Sequence, residues 1–599
     1  MHQVWWLPLA CAGAVATVLL CSATLLTQSD GDLFAHIALG REILAHGVPT
    51  RVTPAWGSAT LLAVVHEAGG LPLITVLTAV IAALTHGLAV ESLQRAGLSP
   101  RSTFLTAVIT FTMASSHWLA RPHAFTLLGV AIVMAVLPSR RRIAWVALVP
   151  LFALWANLHG GWVFGWLVLC CHTVGRAVSI HMRSTRTPDM PLSVLLHERR
   201  WLWGVTAGAL VATMATPYGL ALHRTVWHTL TDPAVAKYVD EYRPPTFATP
   251  VDAVFLTIIL AAIPVLLRLR RPLAWSSTLI LLLSAAAALR AGRNISLFAF
   301  TGWPLLAVHV VALVPAAQTK KIRARQDHVR ATTQRVIIGA ALLLVSLLGV
   351  LRFSVLRFSV LRFSVLRFSV PIDPARFPVQ AVAQAQRAGL AGPVLTTWSW
   401  SGYVPFAWRN HRAWFDPLAF SSTDLHILRT LLLVGPRWRA TLDSLGIRVV
   451  MLPRTSSLGA ALANAPGWFR WYEDGTSVVY RHVGTGMLRQ TVPRVHAEES
   501  TSRKLPLPRV RFPTASANAA ASLRGSCTVK VASAPKSCAC TSASSVGSNC
   551  CTAPICAYPT SKMAVTVSTR SATRSVSSAS WTAPPYALTR PPVPSLVPP

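Results

Sequence analysis

Acidic residues are scarce in this sequence: 20 Asp and Glu among 599 residues, against 55 Lys and Arg. Charged residues of both signs make up 13% of the chain, about half of the ~25% usual in a soluble domain. That shortage excludes an ordinary water-facing surface along most of the length. In its place stand apolar runs of roughly 15–20 residues divided by short basic loops, the pattern of a polytopic membrane protein. A basic leader is also missing. The first run, "VWWLPLACAGAVATVLLCSATLL", has no positive segment before it and is too long for a signal-peptide core. With further runs behind it, it reads as a retained membrane helix. Zinc-type cysteine spacing is absent. Cys11, Cys21, Cys170 and Cys171 fall inside apolar runs and read as small core residues. The cysteines from Cys527 to Cys556 ("CAC", "NCC") match no zinc pattern. The net charge of +35 would imply nucleic acid in a soluble protein. Here the basic residues sit between apolar runs and in a tail, so membrane topology accounts for them and no nucleic-acid partner is expected.

Counting runs gives about eleven spans at the ~20 residues a bilayer requires. The basic loops hold Arg95 and Arg101, "SRRR" (Ser139 to Arg142), the stretch from Arg183 to Arg200, "RLRR" (Arg268 to Arg271) and "KKIRAR" (Lys320 to Arg325). Each follows an even-numbered span. All can therefore face the cytoplasm of a cell membrane, with the N-terminus inside and the last span leading out. The alternate loops carry "SDGDLFAH", "HWLARPHAF", "NLHGGW", "TPYGLALHR", "YVDEYRPP" and "LRAGRNIS". They play no part in assigning the sides, yet polar, aromatic and His residues gather in them, which points to an outward-facing site. Arg121, Arg290 and Arg293 lie there against the positive-inside bias. Interfacial snorkelling accounts for any one of them. Three on one face suit an anionic ligand such as a lipid phosphate, which guanidinium binds bidentately.

Four organisational blocks follow: a multi-spanning region over 1–350, a linker over 351–370, a small α/β domain over 371–483, and a tail over 484–599. The linker is "LRFSV" repeated four times without change. Period five suits neither helix nor strand, so it reads as a tandem duplication serving as spacer or as an extension of the last span, with a basic membrane-surface segment as the alternative. In 371–483 the expected elements are helices at "VQAVAQAQRAGL", "DLHILRTLLLV" and "PRWRATLDSLG", and strands at "GPVLTT", "HRAWFDP" and "IRVVMLP". "GWFRWYEDGTSVVYRHV" should form a hairpin turning at Asp474-Gly475. By topology this domain is extracytoplasmic. The tail, rich in Ser, Thr, Ala, Pro and Arg, reads as disordered.

Several segments together resemble a family. In order they are the carboxylate-bearing first outer loop, "ARPHAFTLL", "LFALWANLHGGWVFG", "ATPYGLALH", "YVDEYRPPTF" and "RAGRNISLFA", then "WSWSGYVPFAW" and "GIRVVMLPRTSSLGAAL". This series, over roughly residues 5 to 483, resembles bacterial membrane proteins related to the GT-C glycosyltransferases. That superfamily includes protein O-mannosyltransferases and aminoarabinose transferases. The resemblance implies a helical GT-C-like membrane domain and transfer of a sugar from a polyprenyl-phosphate donor to an envelope glycan, lipid or protein acceptor on the outer face. It implies that the first outer loop supplies an acidic base or a ligand for a divalent metal such as Mg or Mn. Asp30 and Asp32 occupy that place, Asp30 as the leading base and Asp32 as a helix cap or metal ligand. Glu241 in "VDEYRPP" matches a further acid of the pattern. His36, Arg121, His123, His159, Arg290 and Arg293 are the substrate-binding candidates. The sequence departs from the pattern in a short "RVTPAWGSATLLAVVHEAGG", where only His66-Glu67 echoes a longer His-Glu-Trp-like loop, and in Asp416-Pro417 where Asp-Gly is usual.

Plainer readings stand beside these. Asp30 next to Gly31 can simply cap the helix beginning near Asp32. His159-Gly160-Gly161 can serve only a tight turn and close packing. Trp118, Trp155 and Trp162 read as interfacial belt residues, and Trp398 and Trp400 as domain core. A non-catalytic transporter or scaffold for envelope polysaccharide, or a degenerate inactive homologue, are the competing functions. A transporter would carry charge or broken helices at mid-membrane, whereas this chain keeps its span interiors apolar.

Overall fold

A computed structural model of the chain describes residues 6–28, 31–48, 52–184, 192–269, 273–313, 370–409 and 411–483. Asp30, the "KKIRAR" segment, the last apolar run, the repeat up to residue 369 and the tail from 484 lie outside the described residues. All described residues belong to one compact unit, mostly helical with one small sheet. Among the described residues three helices are long and apolar enough to cross a membrane: Trp56–Arg95, Trp162–Met182 and Pro250–Leu267. A bent pair, Gly292–Phe300 with Gly302–Val311, makes a fourth if counted as one span, and shorter apolar helices flank them at Trp6–Cys21, His123–Val136, Arg142–Leu158 and Trp275–Arg290.

The stretch expected as a short loop before the second span is helical instead. The Trp56–Arg95 helix begins inside it and is broken at Gly69-Gly70, where Gly70 takes φ +64°, with Pro72 just beyond. A left-handed residue followed closely by proline interrupts the ladder without ending the helix. The first half of this helix, bearing His66 and Glu67, thus becomes a platform at one end of the bundle.

Residues 370–483 rest on that end. Their sheet has the order β1-β2-β4-β3, with β1 (Val394–Leu395) parallel to β2 (Val449–Pro453). The pairs β2–β4 and β3–β4 are antiparallel, where β3 is Trp468–Glu473 and β4 Ser477–His482. The hairpin at Asp474-Gly475 forms as expected. The "HRAWFDP" strand does not: it contributes a single bridge, Ala413 to Val394. Helices form at Val379–Arg387, Ser422–Leu432 and Trp438–Ser444, the second opened by a capping box of Ser421 and Asp424.

The junction between helices and sheet domain is built around the Asp32–His46 helix. Phe34 is fully buried, with its ring 5.0, 5.4 and 4.7 Å from those of Phe377, Tyr403 and Phe406. Gln28, also buried, donates to the Pro371 carbonyl (2.8 Å) and accepts from the Asp373 N–H (2.7 Å). Arg41 donates to Glu67 (2.7 Å) and to the Phe406 carbonyl (3.2 Å) while lying over the Phe406 ring. Backbones meet without side chains between them: a Cβ on Gly31 would lie 1.9 Å from the Ser399 carbonyl oxygen, and one on Gly402 2.2 Å from that of Gly31. One buried apolar cluster runs through both parts, from Val15 and Phe34 to Phe377, Tyr403, Met451 and Val479.

Candidate functional site

Asp32 is the first residue of its helix. The N-cap position is Gly31, and no side chain caps it. Freed from that duty, the Asp32 carboxylate lies 3.3 Å from Arg121 Nη1 and takes a hydrogen bond from the Trp398 side chain. The same Arg121 nitrogen donates to Glu241 Oε1 at 2.8 Å, and Arg293 Nη1 is 3.7 Å from Glu241 Oε2. Arg293 also stacks over the Tyr242 ring at 4.6 Å, and its loop is fixed by the Gly292 N–H donating to the Arg243 carbonyl. Asp32, Arg121, Glu241 and Arg293 therefore form one ion cluster. Their side chains are 19%, 14%, 36% and 21% exposed, so the cluster is shielded yet reachable.

The two carboxylates are held in opposite states. Burial, then the neighbouring Glu241 charge, push Asp32 up to about 7 against the pull of the Trp398 hydrogen bond and Arg293. Arg121 approaches Glu241 0.5 Å more closely than Asp32 (2.8 against 3.3 Å). Burial also pushes Glu241 upward, but Arg121 and Arg293 outweigh it and hold the group down at about 2. Glu241 is thus a fixed anion, while Asp32 is a carboxylate that can gain or lose a proton near neutrality.

Around this cluster lie neutral histidines. Burial lowers His36, one turn after Asp32, to about 3, and lowers His117 to about 4 with help from Arg293. His123 turns its Nε2 to the His117 carbonyl, so that nitrogen is committed to the backbone. His159, lowered to about 3 by burial first and then by Arg293 and His36, belongs to the same neighbourhood. Arg290 stays apart: it is exposed at the end of the Trp275–Arg290 helix, and among the described residues no ion pair ties it to the cluster. Two of the three expected arginines converge.

Other placements differ from expectation. Trp118, Trp155 and Trp162 are not belt residues; they are 2–3% exposed, packed within the protein. Trp400 is core, donating to the Arg376 carbonyl, whereas Trp398 reaches the Asp32 carboxylate. Trp398, His117, Tyr242 and Thr126 are site neighbours that the sequence reading does not place in the site, although all four lie inside motifs it quotes. Their common signal is an aromatic or hydroxyl residue within a motif already noted. Among the described residues no group of three or more His, Cys, Asp or Glu is placed to hold a metal ion. The cluster's two described carboxylates, Asp32 and Glu241, both face Arg121.

Sequence comparison matches the chain to no family model and to no curated protein. Among solved structures the fold is similar to ArnT from Cupriavidus metallidurans bound to undecaprenyl phosphate (TM-score 0.43, 16% identity, over 81% of this chain and 99% of that one). It is also similar to the same protein in the apo state (TM-score 0.43, 15% identity, 79% and 97%). A third is the archaeal oligosaccharyltransferase AglB from Archaeoglobus fulgidus in complex with an inhibitory peptide and a dolichol-phosphate (TM-score 0.43, 12% identity, 80% and 74%). These neighbours are of the kind the sequence resembles. At such identities and TM-scores they assign the chain neither an activity nor a substrate.

Proposed function

We propose that the chain is a membrane glycosyltransferase that moves a sugar from a polyprenyl-phosphate donor to a cell-envelope acceptor. The observation that carries this reading is the partly enclosed cluster of Asp32, Arg121, Glu241 and Arg293, drawn from four distant segments onto one end of an apolar helical bundle. Such a cluster combines a titratable base with a guanidinium pair, the two functions that glycosyl transfer from a phosphate leaving group needs.

In this reading Asp32 is the base. An acceptor hydroxyl attacks the anomeric carbon, its proton passes to the Asp32 carboxylate, and the bond from that carbon to the phosphate oxygen breaks. The lipid phosphate departs with one more negative charge. Arg121 and Arg293 meet that charge, and Glu241 holds the two guanidinium groups at a fixed spacing before it arrives. Asp30 is the second carboxylate of the loop and the reserve candidate for the base. The chain crosses the membrane about eleven times, with its N-terminus in the cytoplasm and the 371–483 domain on the outer face.

The test is transfer of a labelled sugar from a polyprenyl-phosphate donor in membranes, comparing the wild type with Asp32→Asn and with Asp30→Asn/Asp32→Asn. Loss of product in Asp32→Asn is expected. Full transfer by the double variant ends the catalytic reading. Movement of the lipid-linked sugar across the bilayer with no new glycosidic bond replaces it with a transporter.

A further inference from the structure

The sequence leaves His159-Gly160-Gly161 between a tight turn and a ligand-binding residue. The hydrogen bonds around it decide more than that. The Gly161 N–H donates to His159 Nδ1 at 3.1 Å. A backbone N–H has no acceptor capacity, so Nδ1 is the unprotonated nitrogen of the ring and the proton sits on Nε2. Thr126 Oγ1 lies 2.7 Å from the same Nδ1, and its hydroxyl must therefore donate as well. Thr126 has its one O–H available for this bond, while one of its lone pairs accepts from the Trp155 Nε1–H at 3.1 Å.

This relay is built into tight backbone. A Cβ on Gly161 would lie 2.4 Å from Thr126 Oγ1, so only glycine lets the loop N–H reach the ring. The Trp155 indole is clamped in turn: Cβ atoms on Gly129 and Gly165 would lie 2.7 and 2.4 Å from it. Trp155 and Thr126 are 2% and 4% exposed, while His159 itself remains partly accessible. The charged group that bears on its ring is Arg293, with His36 beside it.

We propose that Thr126 and the Gly161 N–H hold His159 as the Nε2–H tautomer, and that this N–H donates to a phosphoryl oxygen of the lipid-linked donor beside Arg293. The ligand half rests on the reading above; the tautomer half stands on geometry alone. His159 then supplies an uncharged donor that orients the phosphate. Thr126 and Trp155 are positioning residues acting through it.

Imidazole ¹⁵N resonances of the full chain in a lipid bilayer test both halves, with His159 assigned by its loss in His159→Gln and undecaprenyl phosphate as the probe. A neutral ring protonated at Nε2 at about pH 6 is expected in the wild type and in Thr126→Ser. Thr126→Val should mix tautomers and weaken binding of the probe about tenfold. Binding should move the Nε2 resonance and leave the ring neutral. A ring protonated at Nδ1, or an imidazolium at that pH, overturns the tautomer assignment. Saturation with an unmoved His159 resonance overturns the ligand assignment while leaving the glycosyltransferase reading intact. No binding of the probe overturns the ligand half together with the donor reading, and the ligand-free spectrum still decides the tautomer. If Thr126→Val fails to fold, Thr126→Ser and the wild type decide the outcome.

Discussion

Arginines at the two ends of the helical bundle sit in contrasting surroundings. At one end Arg121 and Arg293 are mostly buried and paired with carboxylates more than 50 residues away in sequence. At the other, Arg140, Arg141 and Arg142 are exposed, and Arg95 pairs with Glu91 one turn back, at 2.6 Å, with both side chains near half exposed. The His123–Val136 helix joins the two ends. Exposed local pairs contribute little and are screened by salt. Buried pairs over long sequence separation are costly unless well satisfied, and they fix positions. One end thus carries exposed charge with local partners, and the other carries enclosed charge paired across the fold.

That contrast can be broken experimentally. The largest effect is expected at Asp32→Asn, where transfer should fall about 10²–10⁴-fold, as for loss of a general base. With Asp32 near 7, wild-type transfer should rise with pH through about 7, and that limb should vanish in the variant. The stability effect has the opposite sign. Because the folded value lies above that of an unfolded aspartate, about 3.9, the stabilising contribution is complete below about pH 4 and is lost as pH rises through about 7. Chemical unfolding across that range in wild type and Asp32→Asn reads it directly.

Next in size, Arg121→Ala and Arg293→Ala should each lower transfer about ten- to a hundredfold, the scale of a charge-assisted hydrogen bond. Arg95→Ala and Arg141→Ala should leave it within about twofold. Equal losses at both ends would erase the distinction. Phe34→Ala should destabilise the protein by about 3–5 kcal/mol, as for an aromatic removed from a packed site, seen as a lower unfolding midpoint. Arg290→Ala should have the smallest effect, below about 0.5 kcal/mol in stability, as for an exposed site, with transfer unchanged.

Much of this was legible in the residues. Apolar runs marked the helices, and Gly, Asp and Pro marked the hairpin and most elements of the α/β domain. Asp32 and Glu241 are picked out by the resemblance, and Arg121 and Arg293 as arginines in loops that run against the positive-inside bias. Pairing was not legible, because Arg121 meets Asp32 and Glu241 only through the packing of helices far apart in sequence. Nor was the division of labour between carboxylates: burial and shared arginines set it, and neither is a property of local sequence. Trp398 was hidden for a similar reason. A tryptophan in "WSWSGY" is ordinary core by composition, and only the meeting of Ser399 with Gly31 brings it to a carboxylate. Arg290 errs the other way, since three residues along a helix end separate an exposed side chain from the enclosed one at Arg293.

The close approach at Gly31, Ser399 and Gly402 has a consequence for modularity. Two backbones touch where the candidate base begins its helix, so the sheet domain cannot be exchanged for another by matching linkers at residue 370. A graft must bring its own glycine to meet Gly31 and its own indole to meet Asp32. The natural unit of recombination is therefore the whole stretch that carries both contacts, and a chimera that divides it should insert in the membrane yet lose the environment that tunes its acid.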